Sequence, residues 1–507
     1  MTMVFEERLL YVVNLLASGQ KCLTEWVMCL NQQDQDDLER ALLPLLMKTM
    51  ASDLALSQCA GYIDLYHLLV GQHAPEKKIY EHPESDIKYL YGDWVNFITN
   101  LAERWTLLGV ESGQTLFIAE KEPLKVLLAA LTGFKLGLHV VFAPAYGDIY
   151  IQNRAREIRL DYCILPDQNI SAQVLPCFFN HQQTTTVIEN YQYGRDEVCL
   201  SCFSPQGDLY TVTANQFILQ RLRDCSCIFG LHLSSHSTLC THSMELFVWL
   251  AFCHFLSATT MTHVENTADY IAHREKVSLY PLFCDQSFEL ELLEELPVRY
   301  FFCQFFQPNT LNLFGKNRLI GHLAYGGALV ELSSANYIKP ILFSRLSTLK
   351  AGELLSYLHE GTIYQLSAVV QQQSGQYFLS VDVTHYFSFY IKEIKNYLSD
   401  CGYETVYIWW DKLREQLICL IFTGDSKNAN NKQELWVQEG EVQLELSQGF
   451  GSFSPDQLHI YVQYQIHEPA VLESLFFSGL LDKKNKLPII QKLNQLRKKM
   501  PQILGCD

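Results

Sequence analysis

The 507-residue sequence has little positive charge: 38 Lys and Arg stand against 55 Asp and Glu, a net charge of -17. No basic run is dense enough to neutralise a phosphate backbone, so no nucleic-acid partner is expected. Membrane-length apolar runs are missing as well. The longest, Glu245-Leu-Phe-Val-Trp-Leu-Ala-Phe-Cys-His-Phe-Leu256, falls short of the ~20 residues a spanning helix needs and reads as a buried helix. The first residues carry Glu6 and Glu7 where a secretory signal has basic residues, which argues against an export signal. Sixteen cysteines follow no repeating framework, the pattern of reduced thiols in a cytoplasmic protein. A Gly-x-Ser-x-Gly nucleophile elbow is also lacking, which removes the common serine-hydrolase reading.

Nearly half of the chain is apolar, enough to bury several cores in two or three domains. Residues 5–16 place Phe5, Leu9, Leu10, Val12, Val13, Leu15 and Leu16 on one helical stripe. Helical character continues to about residue 69, and the turn-rich, charged stretch 71–83 predicts a boundary near residue 85. From Trp94 onward, helices of ten or more residues alternate with short apolar runs such as Thr115-Leu-Phe-Ile-Ala119 and Leu138-His-Val-Val-Phe142. That alternation predicts a mainly parallel sheet covered on both faces. From about residue 360 the segments become strand-like, as in Gln376-Tyr-Phe-Leu-Ser-Val-Asp-Val383 and Gln416-Leu-Ile-Cys-Leu-Ile-Phe422. Residues 447–455, rich in Ser and Gly, read as a hinge before a short terminal domain.

Residues 89–118, 127–146 and 241–246, then Tyr325-Gly-Gly-Ala-Leu329 and Phe422-Thr-Gly-Asp425, in that order, resemble segments of the adenylate-forming superfamily, which includes acyl-CoA synthetases, luciferases and peptide-synthetase adenylation domains. Residues 89–118 are similar to the opening of such a domain, and residues 127–146 to its helix, strand and Pro-containing loop. Thr241-His-Ser-Met-Glu-Leu246 is similar to the aromatic/His motif, a resemblance that puts His242 at the border of an acyl pocket, against the plain reading of a hydrogen-bonded structural histidine. Tyr325-Gly-Gly-Ala-Leu329 stands where the family carries Tyr-Gly-x-Thr-Glu, and Phe422-Thr-Gly-Asp425 where it carries Thr-Gly-Asp. The resemblance spans residues 85–482. It implies an α/β fold with an adenylate-forming-enzyme-like core of two α/β lobes plus a β-rich lobe. The expected parts are a helical N-terminal extension at 1–84, the core at 85–446 and a truncated C-terminal α/β lid at 447–507.

Such enzymes join ATP to a carboxylate and then pass the acyl group to a thiol. The chemistry needs backbone N–H groups and a Lys around the triphosphate, Mg²⁺ on an acidic ligand, and a Lys at the transferring phosphoryl centre. The family's phosphate loop corresponds to Cys202-Phe-Ser-Pro-Gln-Gly-Asp-Leu-Tyr-Thr-Val212, which keeps only Ser204 and Gly207. Tyr210 falls near the Lys position, and Asp208 adds negative charge where an anion should sit; a strand-connecting turn is the competing reading. Tyr325 and Gly326 are positioned to line a nucleotide, yet Ala328 and Leu329 replace the Thr hydroxyl and the metal-binding Glu, so Mg²⁺ is not supported. Asp425 keeps the ribose-binding carboxylate, though an Asp opening a polar loop is also a common turn residue. The family's hinge Arg is replaced by Glu441, and Lys486 is the nearest candidate for the catalytic Lys, against the plain reading of a solvated charged loop.

A zinc site from Cys199, Cys202, Cys225, Cys227, His232, His236, Cys240 and His242 competes with buried structural cysteines, since the first pair falls in an apparent strand. The resulting expectation is an AMP-binding, acyl-CoA-synthetase-like protein with weak or lost ATP-dependent carboxylate activation. It would act in binding, regulation or protein interaction, with ATP or AMP as the implied cofactor and a carboxylic acid or acyl group as ligand. A protein partner would dock on residues 1–84. The alternative is an active acyl- or aryl-AMP ligase that uses non-standard residues.

Overall fold

The computed structural model describes residues 62–83, 87–143, 148–165, 172–180, 187–203, 209–229 and, with three short gaps, 231–285; beyond these it describes strands and a few helical positions between 298 and 464. The N-terminal stripe at 5–16 and the hinge at 447–455 lie outside the described residues. Two compact units emerge, one of residues 1–145 and 151–386, the other of 146–150 and 387–507.

The first unit holds two large sheets. One has six strands: β4 (Thr115–Ile118), β5 (His139–Phe142), β6 (Tyr162–Ile164), β7 (Gln173–Val174), β9 (Val198–Phe203) and β10 (Leu209–Thr213), in the order β10-β9-β5-β4-β6-β7. All neighbours are parallel except β9 and β10. The other has nine: β2 (Lys78–His82), β3 (Ile87–Leu90), β11 (His236–Cys240), β12 (Thr260–Val264), β13 (Leu282–Cys284), β14 (Val298–Cys303), β15 (Arg318–Leu323), β16 (Gly327–Leu332) and β17 (Ile338–Pro340). Their order is β17-β16-β15-β14-β13-β11-β12-β2-β3. The strand pair β1 (Tyr62–Ile63) and β8 (Tyr193–Gly194) and the antiparallel meander β18 (Leu354–His359), β19 (Thr362–Gln373) and β20 (Gln376–Val381) complete the unit's described strands.

Local sequence explains where the helices begin and end. Helix α1 (Tyr91–Leu107) starts with Asp93 accepting from the Leu90 N–H at 2.8 Å. Helix α2 (Pro123–Leu136) has Pro at its first position, where no N–H is needed, and ends on Gly137 at φ 77°. Gly133 in this helix lies so close to the sheet that a Cβ would stand 2.8 Å from Val140 Cγ2. Helix α3 (Asp148–Glu157) follows β5. Helix α4 (Ala214–Arg223) opens on a reciprocal cap: Thr213 Oγ1 accepts from the Gln216 N–H, and Gln216 accepts from the Thr213 N–H. Helix α5 (Met244–Ser257) is capped by Ser243, whose hydroxyl accepts from the Leu246 N–H at 3.2 Å.

One apolar core joins α1, α2, α4 and α5 to both sheets, with Trp94, Trp105 and Trp249 wholly buried. Each such side chain removed from water contributes roughly 1.5–3 kcal/mol. The alternate residues Phe117, Val141, Cys163 and Phe203 face the opposite side of the six-stranded sheet, in a second core with Ile151 and Ala155 of α3. Both faces of that sheet are therefore covered, as the apolar runs predicted. In the nine-stranded sheet, Ser237 of β11 meets His254 of α5, while Thr238 on the other face donates to the Val277 carbonyl.

Strand β2, at 78–82, pairs in parallel with β12 and antiparallel with β3, so residues before 85 are built into the nine-stranded sheet. The sheet of the second unit consists of β21 (Thr405–Asp411), β22 (Gln416–Thr423) and β23 (Leu458–Tyr464), the last two parallel.

Candidate functional site

Six neighbouring strands of the nine-stranded sheet, β15, β14, β13, β11, β12 and β2, run parallel, so their carboxyl ends share one edge. The chain passes from β11 to β12 on one side, then returns to β13 on the other side of β11. Such a reversal splays the following loops apart and opens a crevice at the carboxyl end of the central strand. Here that place is Thr241.

Thr241, 2% exposed, is held from three directions. Its hydroxyl donates to the Asp285 carboxylate and accepts from the Ser243 N–H at 2.8 Å. Its carbonyl accepts from His263 Nε2 at 3.1 Å. Ser243 in turn donates to Glu245 Oε2 at 3.0 Å. Burial raises the Glu245 carboxyl above the usual carboxylate range; its own backbone N–H and the Ser243 hydroxyl oppose the shift, and the Asp285 charge adds to it. Across the edge, Tyr80 O–H faces His263 Nδ1 at 3.4 Å, and burial raises the Tyr80 hydroxyl as well. His82 lies edge-on to His263, with ring centroids 6.0 Å apart.

The first residues beyond the six parallel strands are Pro83, Thr241, Glu265, Asp285, Gln304 and Ala324. None is basic and two are acidic. A phosphate placed about 5 Å from one carboxylate would be repelled by about 3 kcal/mol at an effective dielectric constant of about 20.

The residues singled out from sequence fall in telling places. His242 lies outside the described residues, between Thr241 and Ser243 of the crevice. Tyr325 and Gly326 also lie outside them, in the three-residue link 324–326 between β15 and β16, whose register pairs Leu323 with Gly327. Both sets are thus at the same carboxyl edge by chain position. Ala328 and Leu329 are on β16, with Ala328 opposite His322.

Ser204, Gly207 and Asp208 lie outside the described residues, within the link 204–208 between antiparallel β9 and β10, where Leu209 pairs with Phe203. Tyr210, near the family's Lys position, is buried on β10 and its hydroxyl accepts from Gln220 at 3.2 Å. Asp425 follows the carboxyl end of β22 by two residues, in the second unit; it and Lys486 lie outside the described residues, as does Glu441. The edge and this loop sit in different units.

Of the imagined zinc ligands, Cys199 and Cys202 are buried on β9 and Cys225 beneath α5. The Cys199 thiol donates to the Val212 carbonyl at 3.5 Å and the Cys225 thiol to the Cys253 carbonyl at 3.1 Å. Burial raises all three thiols, which keeps them protonated. Among the described residues no three His, Cys, Asp or Glu side chains converge on a metal position, and no helix is long and apolar enough to cross a membrane.

Sequence reasoning missed Asp285, His263 and Tyr80. The available signal was local: Asp285 ends the apolar run Leu282-Phe-Cys284, the position where a strand hands over to a loop.

No family model and no curated protein matches the sequence. Solved structures do match. A double mutant of o-succinylbenzoate CoA synthetase from Bacillus subtilis, bound with a product analogue, is 11% identical with a TM-score of 0.59, over 81% of this chain and 97% of that one. The artificially fused adenylation-PCP di-domain NpsA-ThdA of Klebsiella oxytoca is 13% identical with a TM-score of 0.54, over 84% and 91%. ATP-bound MatB of Rhodopseudomonas palustris is 9% identical with a TM-score of 0.51, over 82% and 98%. At such identities the likeness speaks for architecture alone, and it runs through nearly the whole of each neighbour. The chain has the fold of the adenylate-forming enzymes.

Proposed function

We propose that this protein uses the adenylate-forming fold to bind a carboxylic acid or acyl ligand at the carboxyl edge of the nine-stranded sheet, without efficient ATP-dependent activation of it. The role is one of binding, regulation or protein interaction. The observation that supports the loss of activation is the charge of the edge: Glu265 and Asp285 follow the parallel strands directly, Glu245 joins them, and no first residue beyond those strands is basic; the acyl ligand is proposed from the likeness in fold alone. A nucleoside triphosphate with its metal does not fit these groups. It needs positive charge and free hydroxyls, whereas Thr241 and Ser243 are already committed to Asp285 and Glu245. ATP itself is therefore held weakly, and no step of phosphoryl chemistry follows from the side chains at this edge.

ATP–pyrophosphate exchange across fatty, aryl and amino acids tests the reading. Exchange no higher than a protein-free control is expected, and robust exchange with any acid would sink it. A second reading, an acyl- or aryl-AMP ligase built on non-standard residues, is favoured by one feature: Asp425 stands just beyond β22, in a unit whose parallel strands also end together there. It requires that Asp425→Ala abolish ATP binding measured calorimetrically, and an unmodified protein that binds no ATP would end it.

A further inference from the structure

Sheet ladders stop at strand ends, and the ladder through β11 stops at Cys240, paired with Val264 on one side and Cys284 on the other. Beyond that point Thr241 and Ser243 are each held through side-chain hydrogen bonds. Two of them come from the strands that flank β11. His263, on β12, donates from Nε2 to the Thr241 carbonyl at 3.1 Å, and Asp285, just past β13, accepts from the Thr241 hydroxyl. The Tyr80 hydroxyl at Nδ1 leaves that nitrogen as the acceptor, which puts the proton of a neutral His263 on Nε2, where the Thr241 carbonyl needs it. The chain Tyr80, His263, Thr241, Asp285 thus crosses four adjacent strands. It continues through the Ser243 N–H on Thr241 Oγ1 into the first turn of α5, where Ser243 caps the Leu246 N–H.

We infer that His263 and Asp285 are positioning residues: they grip Thr241 from both sides and so set the turn from which α5 enters the carboxyl edge. The Thr241 hydroxyl links Asp285 to the Ser243 N–H at the first turn of α5. The functional consequence rests on the reading of that edge as the ligand site, since the same turn carries His242.

Hydrogen exchange read by mass spectrometry on the full chain tests the grip without any ligand. The variants are Asp285→Leu, Asp285→Asn, Thr241→Val and Thr241→Ser. Asp285→Leu and Thr241→Val should speed exchange at Ser243 and Leu246 about tenfold while residues 248–256 keep their rates, as expected when one hydrogen bond anchoring a helix start is lost. Asp285→Asn, which keeps an acceptor oxygen, and Thr241→Ser, which keeps the hydroxyl, should restore rates close to those of the unmodified protein. A merely structural role would raise exchange along the whole of α5 and would not be rescued by the conservative pair. Unchanged rates in Asp285→Leu, or a uniform rise through α5, overturn the inference. Calorimetric titration with octanoate and with AMP then addresses the ligand. If the unmodified protein binds either, Asp285→Leu should weaken it about tenfold and Asp285→Asn should not. If it binds neither, the ligand reading of the edge fails, and the exchange rates alone still decide the grip.

Discussion

The sharpest stability prediction concerns Asp224, a wholly buried carboxylate at the end of α4. It accepts from Arg223 Nε at 2.8 Å and from a terminal nitrogen of the same guanidinium at 2.7 Å, from Arg221 at 3.4 Å, and from Trp249 Nε1 of α5 at 2.9 Å. Arg221 and Arg223 are themselves buried, so Asp224→Ala removes a carboxylate that two guanidinium groups contact in the core. Removing one partner of a buried pair costs about 3–5 kcal/mol, because the charge left behind has lost its compensation. Trp249→Phe removes one hydrogen bond and a little volume, for about 1–2 kcal/mol. In a thermal melt, Asp224→Ala should lower Tm by roughly 4–6 °C and Trp249→Phe by roughly 1–2 °C. Asp224→Asn keeps an acceptor oxygen without the charge and should fall between them. The reasoning is refuted if Asp224→Ala melts within about 2 °C of the unmodified protein, or if Asn and Ala variants melt together.

Three further outcomes follow from the same structure. Gly137→Ala should destabilise by more than 1 kcal/mol, since φ is +77° and a Cβ would stand 2.3 Å from the Tyr191 ring; unchanged urea unfolding would contradict it. Burial pushes His254 down to about 4 from 6.5, against its hydrogen bond to the Leu250 carbonyl. The unfolded chain takes up that proton first, so stability is complete above about pH 6.5 and is lost as pH falls toward about 4, on the order of 3 kcal/mol in all. Tm measured from pH 7 to pH 5 should fall, and His254→Gln should lessen the slope without abolishing it, because burial lowers His73 and His236 to about 4 as well; a slope unchanged by the substitution refutes the assignment. Glu245 has the opposite sign, because its carboxyl is raised on folding and stability falls as pH rises through the folded value. Glu245→Gln should therefore gain more Tm at pH 8 than at pH 5, and an equal effect at both would count against it.

Much of the architecture could be read from periodicity and punctuation. Pro123 and Gly137 bracket α2, and the run ending at Phe142 is β5. Cys199 and Cys202 do lie on a strand, and the helix at 245–256 is buried throughout. These features depend on neighbours within a turn or two of chain, which is the range over which capping, side-chain alternation and helical stripes act.

The candidate site was legible only in part. The ordered motifs pointed to 241–246 and to 325–329, and both map by chain position to one edge of the nine-stranded sheet. The partners that shape that edge were not visible. Thr241 and Asp285 are 44 residues apart, and Tyr80 and His263 are 183 apart. No pattern along the chain brings such residues together, because their meeting depends on the order in which strands join the sheet.

By itself the sequence determined where helices and strands form, the apolar faces they must bury, and the acidic balance. Tertiary structure alone decided that β13 returns to the far side of β11, that β2 is an inner strand, and that Thr241 is held between His263 and Asp285. The division has a physical cause. Local conformation answers to interactions over a few residues, whereas sheet order and the side-chain contacts at its edge are settled only when distant segments bury their surfaces against one another.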